Sequence, residues 1–224
     1  EGATSRKARN VYGFQMARSS YEAAKELLHG KRPFNLTRSG YSGVQRYAAV
    51  WTGDNVSYDD HMLLGVRMIN SLGLAGIPFV GYDVGGFTGE ASVKLFARWI
   101  TLGALSPFFR GHTMVNSPDA EPWAFGEEVE NISRNFIRFR YQLMPYLYSA
   151  FEEASRTGMP VQRSMAITHA HEPWVYDHQF HNQYLFGPFV LVAPVVSHQQ
   201  FTKIRFPEGD WYSVYDGHKI SGGQ

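Results

Sequence analysis

Cysteine is absent from the 224 residues, which excludes a disulfide framework and a thiolate metal site. The absence does not fix a compartment, because cytoplasmic and periplasmic or secreted proteins can both lack it. Charge of one sign is also missing: 21 Lys and Arg stand against 20 Asp and Glu, a formal net of +1. No basic excess invites nucleic acid, and no block of like charge forms a solvating tail. Apolar runs are short and broken by polar residues, far from the ~20 residues that cross a bilayer. Neither a nucleic-acid partner nor a membrane span is expected, and no secretory leader is read in the opening residues.

What the sequence does have is rings. Aromatic residues make up 15%, with 16 Phe, 13 Tyr and 5 Trp. Such content fits a large core. It fits equally a carbohydrate site, where flat rings cover the apolar faces of sugars and polar groups fix the hydroxyls.

Periodicity supplies the organisation. A helix is expected from about Asn10 to His29, with Tyr21, Ala24, Lys25 and Leu28 at helical spacing and Gly30 and Pro33 ending it. Short strands are expected at Pro33 to Thr37 and Tyr47 to Trp51, the second running into the turn Thr52-Gly53-Asp54-Asn55. Ser57 with Asp60 resembles a capping box for the next helix, and Gly73 a residue just past its end. A strand from Gly76 to Gly81 and a loop from Asp83 to Phe87 follow. Then comes a helix with Val93, Phe96, Ala97 and Ile100 on one face. Ser106 to His112 reads as a fourth strand with its loop. A long helix from Glu127 to Arg156, stepped at Pro145, is stopped by Gly158 and Pro160.

Short buried strands alternating with helices imply parallel βαβ units. At about 30 residues per unit this is half of a (β/α)8 TIM barrel, since a whole one needs roughly 250. After Met159 the texture changes: Phe189 to Ala193, Lys203 to Phe206 and Trp211 to Tyr215 are strand-like, with turns at Pro207 to Asp210 and at Asp216-Gly217. The expected fold class is α/β: the second half of a TIM barrel over residues 1–158, then part of an all-β (β-sandwich) domain over 159–224.

In a barrel, chemistry sits at the C-terminal ends of the strands. Four such ends present Arg38, Asp54, Asp83 and His112. A carboxylate beside glycine is more often a turn former than a catalyst, and an Arg or His after a strand is more often structural. Their placement, one per strand on a single face, favours the chemical reading. Two carboxylates without a metal-ligand pattern suit acid/base work on a neutral substrate, as in glycoside hydrolysis. Asp54 follows Trp51 and Gly53, where an apolar wall can keep a carboxyl protonated.

Several stretches closely resemble glycoside hydrolase family 31. They are Arg32-Pro33-Phe34 through Ser39, Gln45 through Trp51-Thr52-Gly53-Asp54-Asn55, and Gly76 through Asp83-Val84-Gly85-Gly86-Phe87. Further along come Phe108-Phe109-Arg110-Gly111-His112, Glu121-Pro122-Trp123, Arg140-Tyr141 with Leu143 to Tyr148, and Val190 to Pro194. The resemblance runs from about Asn10 to Gln224. It implies that Asp54 is the general acid/base, and that Arg38, Trp51, Asp83, Phe87 and His112 bind substrate. It implies retaining hydrolysis of α-linked glucose or xylose through a covalent glycosyl–aspartate intermediate, with an oligosaccharide or α-glycoside as partner and no cofactor.

One element of the family pattern is missing. The nucleophile motif, of the W-x-D-M-N-E kind, does not occur, and Glu1 to Arg9 hold nothing like it. Either a longer enzyme or a partner chain is expected to supply the N-terminal part with the nucleophile, and the chain alone is expected to be close to inactive. Transglycosylation or an α-glucan lyase reaction would use the same acid/base, and a degenerate sugar-binding protein would need no nucleophile. His169, His171, His178 and His181 have H-x-H and H-x-x-H spacings but no carboxylate-rich loop, so no metal site is assigned.

Overall fold

The computed structural model describes residue 2 and residues 4–223. Helix α1 (Ser5–Leu27) leads into strand β1 (Leu36–Thr37), followed by β2 (Ala49–Trp51), α2 (Asp59–Leu74), β3 (Val80–Val84), α3 (Val93–Ala104) and β4 (Phe108–Gly111). The four strands lie side by side in chain order and all run parallel. Parallel strands need crossovers, and α2 and α3 provide them. This is the second half of a (β/α)8 barrel.

β3 is buried at all five positions, as a strand covered on both faces should be. Tyr82 points at the helices, where it meets Trp99 of α3 with ring centroids 5.9 Å apart. A Cβ on Gly65 of α2 would come within 2.7 Å of the Tyr82 ring, so glycine there lets the helix approach. Gly81 and Asp83 alternate to the opposite, inner face. A methyl at Gly81 would overlap the carbonyl oxygen of Phe108, so the close β3–β4 pairing requires glycine.

Several expected boundaries move, each for a local reason. Ser57 does not cap α2: its hydroxyl donates to the Thr88 carbonyl at 2.9 Å, and Tyr58 occupies the cap position without a side-chain bond. Asp59 and Asp60 in the first turn complement the helix dipole instead. Gly73 lies inside α2, pressed against Pro160, and Gly76 with φ of 82° makes the turn out of the helix. The strand expected at Gly76 begins only at Val80 and carries Asp83 within it. In the next helix Val93 is exposed, and Leu95, Phe96, Trp99, Ile100 and Leu102 form the buried face.

The long helix is two, α4 (Glu127–Gln142) and α5 (Met144–Thr157). The break at Leu143 places Pro145 in the first turn of α5, where no donor is needed. Gly158 in the left-handed region ends α5, as expected. Beyond it, β5 (Gln162–Ser164), the short α6 (Met165–Thr168), β6 (Tyr184–Phe186) and β7 (Val190–Val192) give an antiparallel sheet with β6 central. β8 (Asp210–Tyr212) and β9 (Lys219–Ser221) form a hairpin. Lys203 to Phe206 is not a strand, although Arg205 is paired like one. Its N–H donates to Gln183 Oε1 at 3.0 Å, and its carbonyl accepts from Gln183 Nε2 at 2.7 Å. A single amide side chain stands in for a neighbouring strand.

Buried polar side chains lock the β structure to the barrel helices. Arg140 of α4 donates to the carbonyls of Ala104, Ser106 and Pro107 at 3.1, 2.5 and 2.9 Å, fixing the entry to β4. Burial pulls that guanidinium down to about 10. Gln162 of β5 donates to Val66 and Asn70 of α2. Tyr146 of α5 donates to the Phe186 carbonyl at 2.7 Å and accepts from the Phe189 N–H at 2.9 Å. Among the described residues no helix is long and apolar enough to cross a membrane.

Tyr146→Phe removes one hydroxyl that serves two backbone groups of the β6–β7 turn. The expected cost is about 1–3 kcal/mol, read as a lowered midpoint in urea unfolding followed by far-UV circular dichroism.

Candidate active site

The C-terminal ends of β1 to β4 come to one edge of the parallel sheet and bring the candidate residues with them. Arg38 follows β1 and Asp54 follows β2, and Arg38 Nη2 lies 2.9 Å from Asp54 Oδ2. Both groups are open to solvent, at 57% and 39% side-chain exposure, so the apolar enclosure expected around Asp54 is not formed by the described residues. An exposed pair of this kind contributes under about 1 kcal/mol to stability. Its significance lies in geometry: a carboxylate and a guanidinium nitrogen meet at the C-terminal edge of the sheet.

Trp51 closes β2 on the inner face and is half-buried. Phe87, on the loop after β3, stacks on the ring of His112 after β4, with centroids 5.4 Å apart and planes 25° from parallel. His112 is exposed and Phe87 half-buried. Together they form a flat apolar-and-polar edge after β3 and β4, on the same side of the sheet as the Arg38–Asp54 pair after β1 and β2.

Asp83 differs from the other candidates. Its side chain has no exposure, and Oδ1 accepts from Arg110 Nε at 2.6 Å. Oδ2 is buried with no hydrogen-bond partner among the described residues. Burial pushes the Asp83 carboxyl above its ordinary 3.8, and the repulsion of Asp54 adds to this. The bond and charge of Arg110, and then His112, pull the other way.

Two residues that sequence reasoning passed over organise the site. Asn55, buried, follows Asp54 and staples the β2 loop to the β3 loop. Its Nδ2 donates to the Asp83 carbonyl at 3.2 Å, and its Oδ1 accepts from the Phe87 N–H at 3.0 Å. Arg110 holds Asp83, and its guanidinium carbon lies 5.2 Å from the Trp51 ring centre. The signal for Arg110 was available: it stands two residues before His112, on the same face of a strand whose end carries chemistry.

A cavity of about 500 Å³ opens behind the Gly85–Gly86 turn, lined by Glu90, Thr113, Asp119 and Phe125 among others. None of the six candidate residues lines it, because the candidate site is an open wall and not an enclosed hollow. The four histidines singled out by spacing form two pairs, His169 with His171 at 6.4 Å and His178 with His181 at 5.8 Å between ring centres. Among the described residues no group of three or more potential ligands could hold a metal ion.

Carboxylates, arginines and stacked rings thus gather at the strand ends of a half-barrel, the face on which TIM-barrel proteins carry their chemistry. Comparison with known proteins makes the class specific. The sequence pattern of the glycosyl hydrolases family 31 TIM-barrel domain matches residues 1–150, and that of the family's C-terminal domain matches residues 158–224. The chain belongs to glycoside hydrolase family 31. It is 44% identical over 222 residues to alpha-glucosidase 2 of Bacillus thermoamyloliquefaciens, covering 99% of this chain and 28% of that protein. It is 38% identical over 220 residues to the glucosidase 2 subunit alpha of Saccharomyces cerevisiae, covering 96% and 23%. A Flavobacterium johnsoniae family 31 dextranase, solved with glucose, superposes with a TM-score of 0.89 at 34% identity, covering 98% of this chain and 28% of that one. The chain thus spans less than a third of the length of these relatives.

A raised folded-state pKa means that the folded protein holds the Asp83 proton more tightly than the unfolded chain does. Stability from this group is therefore full below the ordinary value of 3.8 and is lost as pH rises through the folded value. Urea unfolding at a series of pH values is expected to show that loss above about pH 4, and Asp83→Asn is expected to flatten that part of the profile.

Proposed function

We propose that this chain is a segment of a retaining α-glycosidase that hydrolyses terminal α-linked glucose or xylose by double displacement. The observation that carries the reading is the Arg38–Asp54 pair at the C-terminal edge of the parallel sheet, flanked by Trp51 and the Phe87–His112 stack. Membership of a family whose matched relatives include named α-glucosidases supports it. Residues 1–158 form the barrel part and 159–224 the beginning of the C-terminal β domain.

In this reading Asp54 is the general acid/base. It gives its proton to the glycosidic oxygen as the bond to the anomeric carbon breaks, and a carboxylate from outside these residues attacks that carbon. Asp54 then takes a proton from the water that cleaves the glycosyl–enzyme ester, which restores both groups. Arg38 orients Asp54 and offers donors to a sugar hydroxyl. Trp51 and Phe87 cover apolar sugar faces, and His112 offers a ring nitrogen to a hydroxyl. No cofactor enters the cycle. The N-terminal segment that completes the barrel supplies the nucleophile about 5–5.5 Å from Asp54, the separation that retention requires.

In the full protein that carries this chain, Asp54→Asn is expected to lower kcat/KM on a natural α-linked disaccharide by about 10²- to 10⁴-fold. Aryl glycosides with good leaving groups should suffer less at the first step. Undiminished turnover of the disaccharide would remove Asp54 from the role. Product analysis of the parent protein separates the chemistries: free glucose or xylose marks a hydrolase, a lengthened oligosaccharide a transferase, and an unsaturated sugar a lyase. Sugar binding without cleavage marks a degenerate binder.

A further inference from the structure

Asp83 has a problem of access. Its side chain is wholly shielded, with one oxygen committed to Arg110 and the other sealed without a partner. A hydroxyl in the cleft cannot reach that carboxylate unless the chain around it rearranges. Arg110 is different: its side chain is 23% exposed, and its guanidinium carbon sits 5.2 Å from the Trp51 ring centre and 5.8 Å from that of Phe108.

Register explains how three strands converge there. Trp51 of β2 stands opposite Gly81 of β3, and Gly81 opposite Phe108 of β4. One step higher on the same face, Asp83 stands opposite Arg110. Gly81 presents no side chain in the lower row, so the guanidinium above it can lie against the indole. A cation over an indole face is held by the ring quadrupole, and its position is fixed on the other side by the 2.6 Å charge-assisted bond to Asp83.

The geometry points to Asp83 and Arg110 as positioning residues: Asp83 acts through Arg110 on the face of Trp51, and does not itself touch the glycoside. This rests on the reading above that the cleft binds a glycoside at Trp51. The charged and titratable groups facing Asp83 are Arg110 and His112 from the end of β4 and Asp54 from the end of β2. Of these, Arg110 alone is hydrogen-bonded to its carboxylate among the described residues.

Arg110→Lys separates the two roles, because it keeps a cation for Asp83 but loses the guanidinium group that lies over the Trp51 ring. In the full protein, Arg110→Lys and Asp83→Asn are each expected to raise KM for an aryl α-glucoside by about tenfold. Asp83→Asn/Arg110→Met, which removes both charges and leaves no buried ion alone, is expected to fall within about twofold of Asp83→Asn, as residues acting in one chain should. A merely structural loss would instead lower the active fraction, reducing kcat and leaving KM unchanged. A second readout needs no activity: in protein labelled with 5-fluorotryptophan, the Trp51 resonance, assigned by its loss in Trp51→Phe, should shift in both single variants. If Arg110→Lys is silent while Asp83→Asn is impaired, Asp83 contacts the sugar and the inference is overturned. An unmoved Trp51 resonance in Asp83→Asn overturns it as well. If the parent protein cleaves no α-glucoside, the functional reading falls, and the fluorine resonance alone decides the positioning role.

Discussion

Everything in the site hangs from the parallel alignment of four short strands. Because β1 to β4 run the same way in unbroken chain order, their C-terminal ends share one edge, and the residue after each strand is delivered there without any long loop. The tightest point in that alignment is Gly81, where β3 approaches β4 so closely that a methyl would meet the Phe108 carbonyl. Widening the gap there would move Asp83 away from Arg110 and so loosen the contact with Trp51. A packing constraint on one backbone atom thus becomes a constraint on the chemistry one row above it.

Strands of two to five residues have few ladder bonds of their own, so other elements hold them in place. Arg140 does this for β4 by gathering three carbonyls at its entry, which also spares those groups from being buried unpaired. The later β structure holds α2: Asp59 accepts from the N–H and hydroxyl of Ser197, and Arg67 bonds Asn182. With Gln162 reaching Val66 and Asn70, α2 is gripped along its length by the antiparallel sheet and the segments around it. Since α2 follows directly on the Asp54 loop, these contacts tie the second region to the element that leads out of the candidate site.

The βα rhythm was legible because buried parallel strands and amphipathic helices leave opposite periodicities in the chain, as at Val80 to Val84 and Leu95 to Leu102. The strand ends were legible for the same reason, and so were Arg38, Asp54, Asp83 and His112 as a set. The family resemblance, not periodicity, singled out Trp51 and Phe87. What could not be read was pairing across distance. Ser57 followed by Asp60 has the form of a capping box, yet the hydroxyl goes to Thr88, 31 residues away. Lys203 to Phe206 has strand composition, yet its partner is the side chain of Gln183. Spacing along β4 puts Arg110 on the face of His112, but its partner on β3, like those of Asn55, lies across strands, which spacing along one strand does not encode.

The two carboxylate–arginine pairs on this edge of the sheet differ chiefly in exposure, and the roles proposed for them follow that difference. Arg38 and Asp54 meet in the open, where water screens them and their attraction adds little to stability, so little holds the carboxylate to this one partner. The Asp83 carboxylate is wholly shielded and meets an Arg110 that is only partly exposed, so loss of the arginine would leave a buried charge without its counter-ion, which is costly. A group that has to give and regain a proton belongs in the first environment. A group that has to hold its neighbour still belongs in the second. Exposure, more than residue type, therefore distinguishes the two aspartates, and under the proposed reading it assigns reaction to Asp54 and support to Asp83 at neighbouring strand ends.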